Sequence, residues 1–295
     1  MRFLLFCASM LIAPPVKAQS DTAALRRRLD TIVAAHGGTV AYSIHNLDTG
    51  ERLERFGDRP FPTASLIKVP ILVSLMQQVE AGTLSLTDPV SWSKLDQVGG
   101  AGVLHLFRPG GTLALGDIAN LMIATSDNSA TNLVLDKVGL RQVWTDMEAR
   151  GLLRTKIFAK VFKRASTTVA IDSSAKYGLG VSTPNEMARL FALIADGKAV
   201  SPSADSVMRT MLGENQDMEM LQRGAGGIAA AHKTGAVDKS RTECTIWPLR
   251  GRVVACVFTT DNVDESYLPD AEAHVTMGRM AAAIVAAWKP ATRAP

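Results

Sequence analysis

Cysteine is nearly missing from this 295-residue chain, which has 3. Cys7 lies in the first eighteen residues, leaving Cys244 and Cys256 for the body of the chain. Two cysteines cannot build a disulfide scaffold, and no His/Cys grouping has zinc spacing, so no metal or other cofactor is expected. Aromatic residues are also few, at 5%, and the formal charge of +4 is close to balance. That balance excludes the basic footprint of a nucleic-acid-binding domain. Beyond the N-terminal region no run is apolar for long enough to span a bilayer. No repeat, low-complexity linker or charge block divides the chain. Neither a Gly-x-Ser-x-Gly elbow nor a phosphate-binding glycine loop is present, which removes two common enzyme readings.

What is present begins with "MRFLLFCASMLIAPPVKAQS". A basic residue, an apolar run and Val16-Lys17-Ala18 predict a secretory leader over residues 1–18, hence a periplasmic or secreted protein. Residues 19–295 are long enough for one large domain with a substantial core. Residues 21–36 read as an amphipathic helix capped by Asp21, with Leu25, Leu29, Ile32 and Val33 on one face. "TVAYSIHNLDTGERLERF" reads as two strands around a turn at Asp48-Thr49-Gly50. Thr183-Pro184-Asn185-Glu186 is a capping box with proline at the first helical position, stopped by Gly197. "AAAHKTGAV", "RTECTIW" and "RVVACVFTTD" read as three strands, and a last helix ends near Trp288.

The expected fold is therefore α/β (α+β). A five-stranded antiparallel sheet, assembled from residues of about 19–62 and 214–295, is flanked by N- and C-terminal helices. An all-helical part fills about 63–213. If the last two strands turn around Gly251, Cys244 and Cys256 sit opposite each other. They then either bridge or act as two buried thiols.

"ASLIKVP" sets Ser65 three residues before Lys68 in an otherwise apolar stretch. A serine hydroxyl is a poor nucleophile until a base takes its proton. One helical turn apart, the two side chains share a face, and an apolar setting disfavours the charged form of the lysine. A serine near a helix start also lends its backbone N–H to an oxyanion. Pro70 predicts a kink or a tightened first turn. Two further stretches strengthen the reading. "ATSDNSATN" interrupts helical runs with Ser126, Asp127 and Asn128, and "AHKTGAV" sets Lys233, Thr234 and Gly235 in a strand, where glycine often marks a close approach of ligand or backbone.

Ser-x-x-Lys, Ser-Asp-Asn and Lys-Thr-Gly in this order form the set shared by class A β-lactamases and penicillin-binding proteins. The chain resembles the class A family along nearly all of its mature length, including "GAGVLHL", "LMIATSDNSATNLVLDKVG" and "STPNEMARLFALI". The resemblance implies Ser65 as the nucleophile and Lys68 as its proton acceptor, directly or through water. It implies Ser126, held by Lys233, as proton donor to the departing nitrogen, and Asn128 as a contact to Lys68 and the substrate amide. Lys233, Thr234 and Gly235 would bind the substrate carboxylate, and the N–H groups of Ser65 and Ala236 would form the oxyanion hole. Asp127 and His232 read as structural. Arg241 is either a second positive charge for a carboxylate or a surface arginine.

The family pattern breaks in one place. Class A enzymes carry a deacylating glutamate about three dozen residues after Ser-Asp-Asn, but "LLRTKIFAKVFKRASTTVAIDSSAKYGLG" holds no glutamate. Asp172 is its only acid, and either Asp172 or Lys68 must serve if the acyl-enzyme is to be hydrolysed. The expected function is that of an exported β-lactam-opening serine hydrolase, slow in deacylation. The alternatives are a penicillin-binding DD-peptidase or esterase on D-alanyl cell-wall peptides, and a domain that is acylated once. Its partners would be a small β-lactam or peptide substrate and peptidoglycan, and a monomer is expected.

Overall fold

The computed structural model describes residues 16–289, so the expected leader lies almost wholly outside the described residues. Helix α1 (Val16–Ala34) precedes strands β1 (Thr39–Asn46) and β2 (Arg52–Arg55). The middle of the chain forms β3 (Phe61–Pro62), α2 (Lys68–Glu80), β4 (Pro89–Ser91), β5 (Thr112–Ala114), α3 (Leu115–Ala124), α4 (Asn128–Val138) and α5 (Leu140–Ala149). It continues through β6 (Lys156–Ile157), α6 (Arg164–Thr167), α7 (Ile171–Tyr177), β7 (Gly180–Ser182), α8 (Pro184–Ala195) and α9 (Pro202–Gly213). Strands β8 (Ala231–Val237), β9 (Ser240–Leu249) and β10 (Gly251–Thr260) return to the sheet, and α10 (Glu272–Ala287) closes the described chain. Among the described residues no helix is long and apolar enough to cross a membrane.

The main sheet has the order β2-β1-β10-β9-β8, every pair antiparallel. It is buried on both faces, and strand alternation divides its side chains between two cores. Val253, Ala255 and Val257 of β10 pack with Leu25, Leu29 and Ile284 of α1 and α10. Val254, Cys256 and Phe258 join the second core with the apolar face of α2 and with Met187 and Phe191 of α8. Cys244 and Cys256 are direct cross-strand partners and are disulfide-bonded, which decides between the two expectations for them.

The middle of the chain is not all-helical. Short strands form a β3-β7-β6 sheet and a β4-β5 ribbon within it. Strands of two or three residues are too short to show an alternation of period two, so nothing in the sequence announced them. Helix α1 also starts at Val16, five residues ahead of the Asp21 expected to open it. Half of the expected capping box forms. Thr183 Oγ1 accepts from the Glu186 N–H, whereas the Glu186 carboxylate is drawn instead to the Arg154 N–H and the Thr155 hydroxyl.

Candidate active site

Ser65 sits in a 3-10 turn, Ala64–Ile67, that runs directly into α2. The tightened turn lets α2 restart at Lys68, so Pro70 falls within the first helical turn, where its missing N–H costs no hydrogen bond. Ala64, immediately before Ser65, has φ +46°, a left-handed conformation uncommon for a residue with a Cβ. Two strands brace this turn. Thr242 Oγ1 donates to the Thr63 carbonyl at 2.8 Å. Gly235 explains itself here: a Cβ on it would lie 2.5 Å from the Thr63 carbonyl oxygen and 2.8 Å from the Leu66 nitrogen. The glycine of the Lys-Thr-Gly strand thus admits the backbone of the Ser65 turn.

Lys68 reaches across to the α3–α4 junction. Its Nζ donates to the Ser126 carbonyl at 2.6 Å and to Asn128 Oδ1 at 2.9 Å, and lies 3.2 Å from Ser126 Oγ. The expected contact with the Ser65 hydroxyl is not among its hydrogen bonds, because those acceptors are fixed by the start of α4. Asn128 is held by its own donation to the Gly99 carbonyl. On the other side of Ser126, Lys233 Nζ lies 3.1 Å from the same hydroxyl and donates to the Thr234 carbonyl at 2.8 Å. Ser126 Oγ therefore stands between two amines, at a residue with φ +54°. Thr234 is buried beside Lys233 on β8.

Both lysines are fully buried. Burial holds Lys68 well below its usual range, and the positive charge of Lys233 adds to the effect, against a smaller pull from Asp127. Lys233 is lowered to about 8, again by burial, with Asp217 and Glu243 opposing. A neutral Lys68 has two N–H donors and one lone pair. The Ser126 carbonyl and Asn128 Oδ1 take the two donors, which leaves the lone pair to accept a hydroxyl proton.

Ser65, Asn128 and Ala236 line a cavity of about 490 Å³ with Lys160, Val161, Phe162, Arg164, Ala165, Leu179 and Val237. Among the described residues no carboxylate lines it. The far wall is fixed by Asn132 of α4, whose Oδ1 accepts from the Val161 N–H at 2.8 Å and whose Nδ2 donates to the Val161 carbonyl at 3.0 Å. Val161 is thus pinned from both sides where the family resemblance puts a glutamate. Asp172, the one acid of this segment, is exposed in the first turn of α7 and does not line the cavity. Sequence reasoning located the anomalous segment but not Val161. The signal was Asn132, four residues after Asn128 and so on the same face of α4.

Of three other residues weighed in the sequence, Arg241 departs from expectation, whereas His232 and Asp127 make internal bonds in keeping with a structural reading. Arg241 is neither at the surface nor turned to the cavity. Fully buried, it donates to the carbonyls of Val237, Asp238, Ser240, Glu265 and Ser266 and lies over the Tyr267 ring. These carbonyls take up its guanidinium, so it ties the β8–β9 turn to the loop before α10 and does not line the cavity, and its substrate-binding assignment is withdrawn. His232 pairs with buried Glu243 at 2.8 Å. Asp127 caps α4 through the Ala130 N–H and also accepts from the N–H groups of Val103 and Leu104.

Comparisons with known proteins agree with this geometry. Residues 24–288 match the model of the beta-lactamase enzyme family. A beta-lactamase of Rhodobacter capsulatus is 31% identical over 136 residues, a stretch covering 46% of this chain and 44% of that protein. The matched stretch thus spans less than half the length of that relative. Among solved structures, a beta-lactamase from Sphaerobacter thermophilus is 29% identical with a TM-score of 0.78, covering 88% of this chain and 96% of that one. PBP-A is 25% identical with a TM-score of 0.77, covering 90% and 95%.

Proposed function

Because the chain belongs to the beta-lactamase enzyme family, we propose that it opens β-lactam rings through an acyl-enzyme on Ser65 and releases that acyl group slowly. The observation that carries this reading is the pair of buried amines flanking Ser126 Oγ, beside a cavity without a carboxylate.

Ser65 Oγ attacks the lactam carbonyl, and its proton passes to Lys68, whose free-base form burial favours. The carbonyl oxygen gathers charge between the N–H groups of Ser65 and Ala236, an arrangement commonly worth a factor of about 10²–10³ in rate. Ring opening breaks the C–N bond, and Ser126 passes its proton to the nitrogen. Its hydroxyl is re-protonated from Lys68 or Lys233, both within 3.2 Å. Lys233 and Thr234 hold the substrate carboxylate, and Asn128 orients Lys68 and the acyl amide. The second half-reaction needs a base to activate water, and in this cavity that task falls to Lys68 alone.

The same absence of a carboxylate favours a second reading, a penicillin-binding DD-peptidase that transfers the acyl group of D-alanyl cell-wall peptides. Likeness to PBP-A supports it. In either case the chain acts as a monomer after export to the periplasm or beyond, with residues 1–18 removed; a purified protein beginning at Gln19 is the expected result of N-terminal sequencing.

Intact mass followed over time after mixing residues 19–295 with benzylpenicillin tests the proposal. A single adduct that outlasts many equivalents of time needed for its formation is expected, and none with Ser65→Ala. Normal labelling of Ser65→Ala overturns the assignment of the nucleophile. Rapid turnover without an accumulating adduct overturns slow deacylation.

A further inference from the structure

The cavity wall carries two cations, Lys160 and Arg164, and their surroundings differ. Lys160 Nζ is ion-paired with Asp136. Nearby, Lys163 is turned away, donating to the Leu95 carbonyl. Arg164 donates from Nε to the Ser174 hydroxyl at 3.1 Å and from Nη2 to the Ser174 carbonyl at 2.5 Å. Both acceptors are neutral. Its guanidinium is held in position, yet among the described residues it forms no ion pair.

Behind Ser65 the charge balance runs the same way. Lys68 and Lys233 bond only to carbonyl, amide and hydroxyl oxygens, and no carboxylate lines the cavity. With Lys160 ion-paired and Lys68 held toward its free base, the positive charge left at the site is that of Lys233 and Arg164, one at each end, which favours a substrate carrying more than one negative group. The Lys233 end accounts for one carboxylate. Val161, Phe162 and Arg164 line the same cavity as Ser65 and Ala236, so an acyl group carried on Ser65 shares that cavity with them. Val161, Phe162 and Leu179 offer an apolar path, and Arg164 stands at that wall as a planar donor able to grip a carboxylate through two parallel N–H groups.

We infer that the enzyme selects acyl donors bearing an acidic group on the acyl side chain, with Arg164 as the specificity-determining residue. This rests on the acyl-enzyme reading given above. The acidic donor is either a β-lactam with a carboxylated side chain or a D-alanyl peptide with an acidic side chain.

The test compares acylation rate constants, by intact mass, for benzylpenicillin and carbenicillin, which differ by one carboxylate on the acyl side chain. Carbenicillin is expected to acylate about tenfold faster, the scale of one hydrogen bond to a charged group, and the advantage should shrink with added salt. The ratio should collapse in Arg164→Ala and be partly restored in Arg164→Lys, which keeps the charge but loses the fork. A wild-type ratio at or below one, or a ratio unchanged in Arg164→Ala, overturns this inference while leaving the acyl-enzyme intact. No adduct with either penicillin overturns both. The wild-type ratio and its salt dependence need no variant to fold. Release of D-alanine from peptides ending in Lys-D-Ala-D-Ala, with the lysine side chain acetylated or succinylated, distinguishes the sources: a succinyl preference assigns the site to peptides, and its absence beside the penicillin preference assigns it to β-lactams.

Discussion

The two walls of the cavity are built to different standards. On the side of Ser65, Lys68, Ser126 and Lys233, the two lysines are buried and both reach the half-buried Ser126, and strands meet the Ser65 turn backbone to backbone. On the side of residues 160–165 the wall is a loop with short helices, partly exposed, basic and apolar, and pinned mainly by Asn132. The first wall holds what an acylation step requires. Among the described residues the second offers no carboxylate to the cavity, so under the proposed function the two half-reactions rest on different walls. A protein can keep the expensive buried half and replace the loop half.

The largest effect expected from disturbing this contrast is on the first wall. Lys68→Ala should slow adduct formation by about 10²–10⁴, the usual worth of a positioned general base, read as the rate of mass increase with benzylpenicillin. An undiminished rate would place the proton acceptor elsewhere. The second wall is sharpened by giving it what it lacks. Val161→Glu keeps the backbone bonds to Asn132 and adds a carboxylate to the cavity, so the adduct lifetime should shorten at least about tenfold, with formation little changed. An equally long-lived adduct would mean that the wall lies too far from the acyl carbon. The smallest effect is electrostatic. Lys233 is protonated below its pKa of about 8 and neutral above it. Acylation by carboxylate-bearing penicillins should therefore fall about fourfold from about pH 7 to about pH 8.5, by simple titration of one group. Loss of the Lys68 proton, which burial favours, should act in the opposite sense and raise the rate as pH rises.

How much of this was legible in the sequence follows the same division. The first wall was readable because its residues occur in three short motifs, each confined to three or four consecutive residues. The fold was readable because strand and helix periods differ and because the strands cluster at both ends of the chain. What escaped reading depended on packing across elements. Lys68 was expected on Ser65 because they are neighbours in sequence, yet the start of α4 presents better acceptors. Arg241 follows Lys-Thr-Gly closely in the chain, but carbonyls of the β8–β9 turn and of the loop before α10 claim its guanidinium. Glu186 fits a local capping rule and is claimed instead by Arg154 and Thr155, from another segment. Val161 carries no signal of its own, since its position is set by an asparagine twenty-nine residues earlier.

The strand order β2-β1-β10-β9-β8 also bears on how such a chain is born. β1, among the first segments to leave the ribosome, finds its central partner only in β10, close to the other terminus. Pairing of that kind closes a very long loop and belongs to slow, high contact-order folding. The nascent chain therefore carries an unmatched β1 edge until synthesis is nearly complete, and the cleft, whose Lys233 and Ala236 arrive on β8, cannot assemble before then. A polypeptide of this design stays threadable for most of its synthesis and gains its active site in one late, cooperative step.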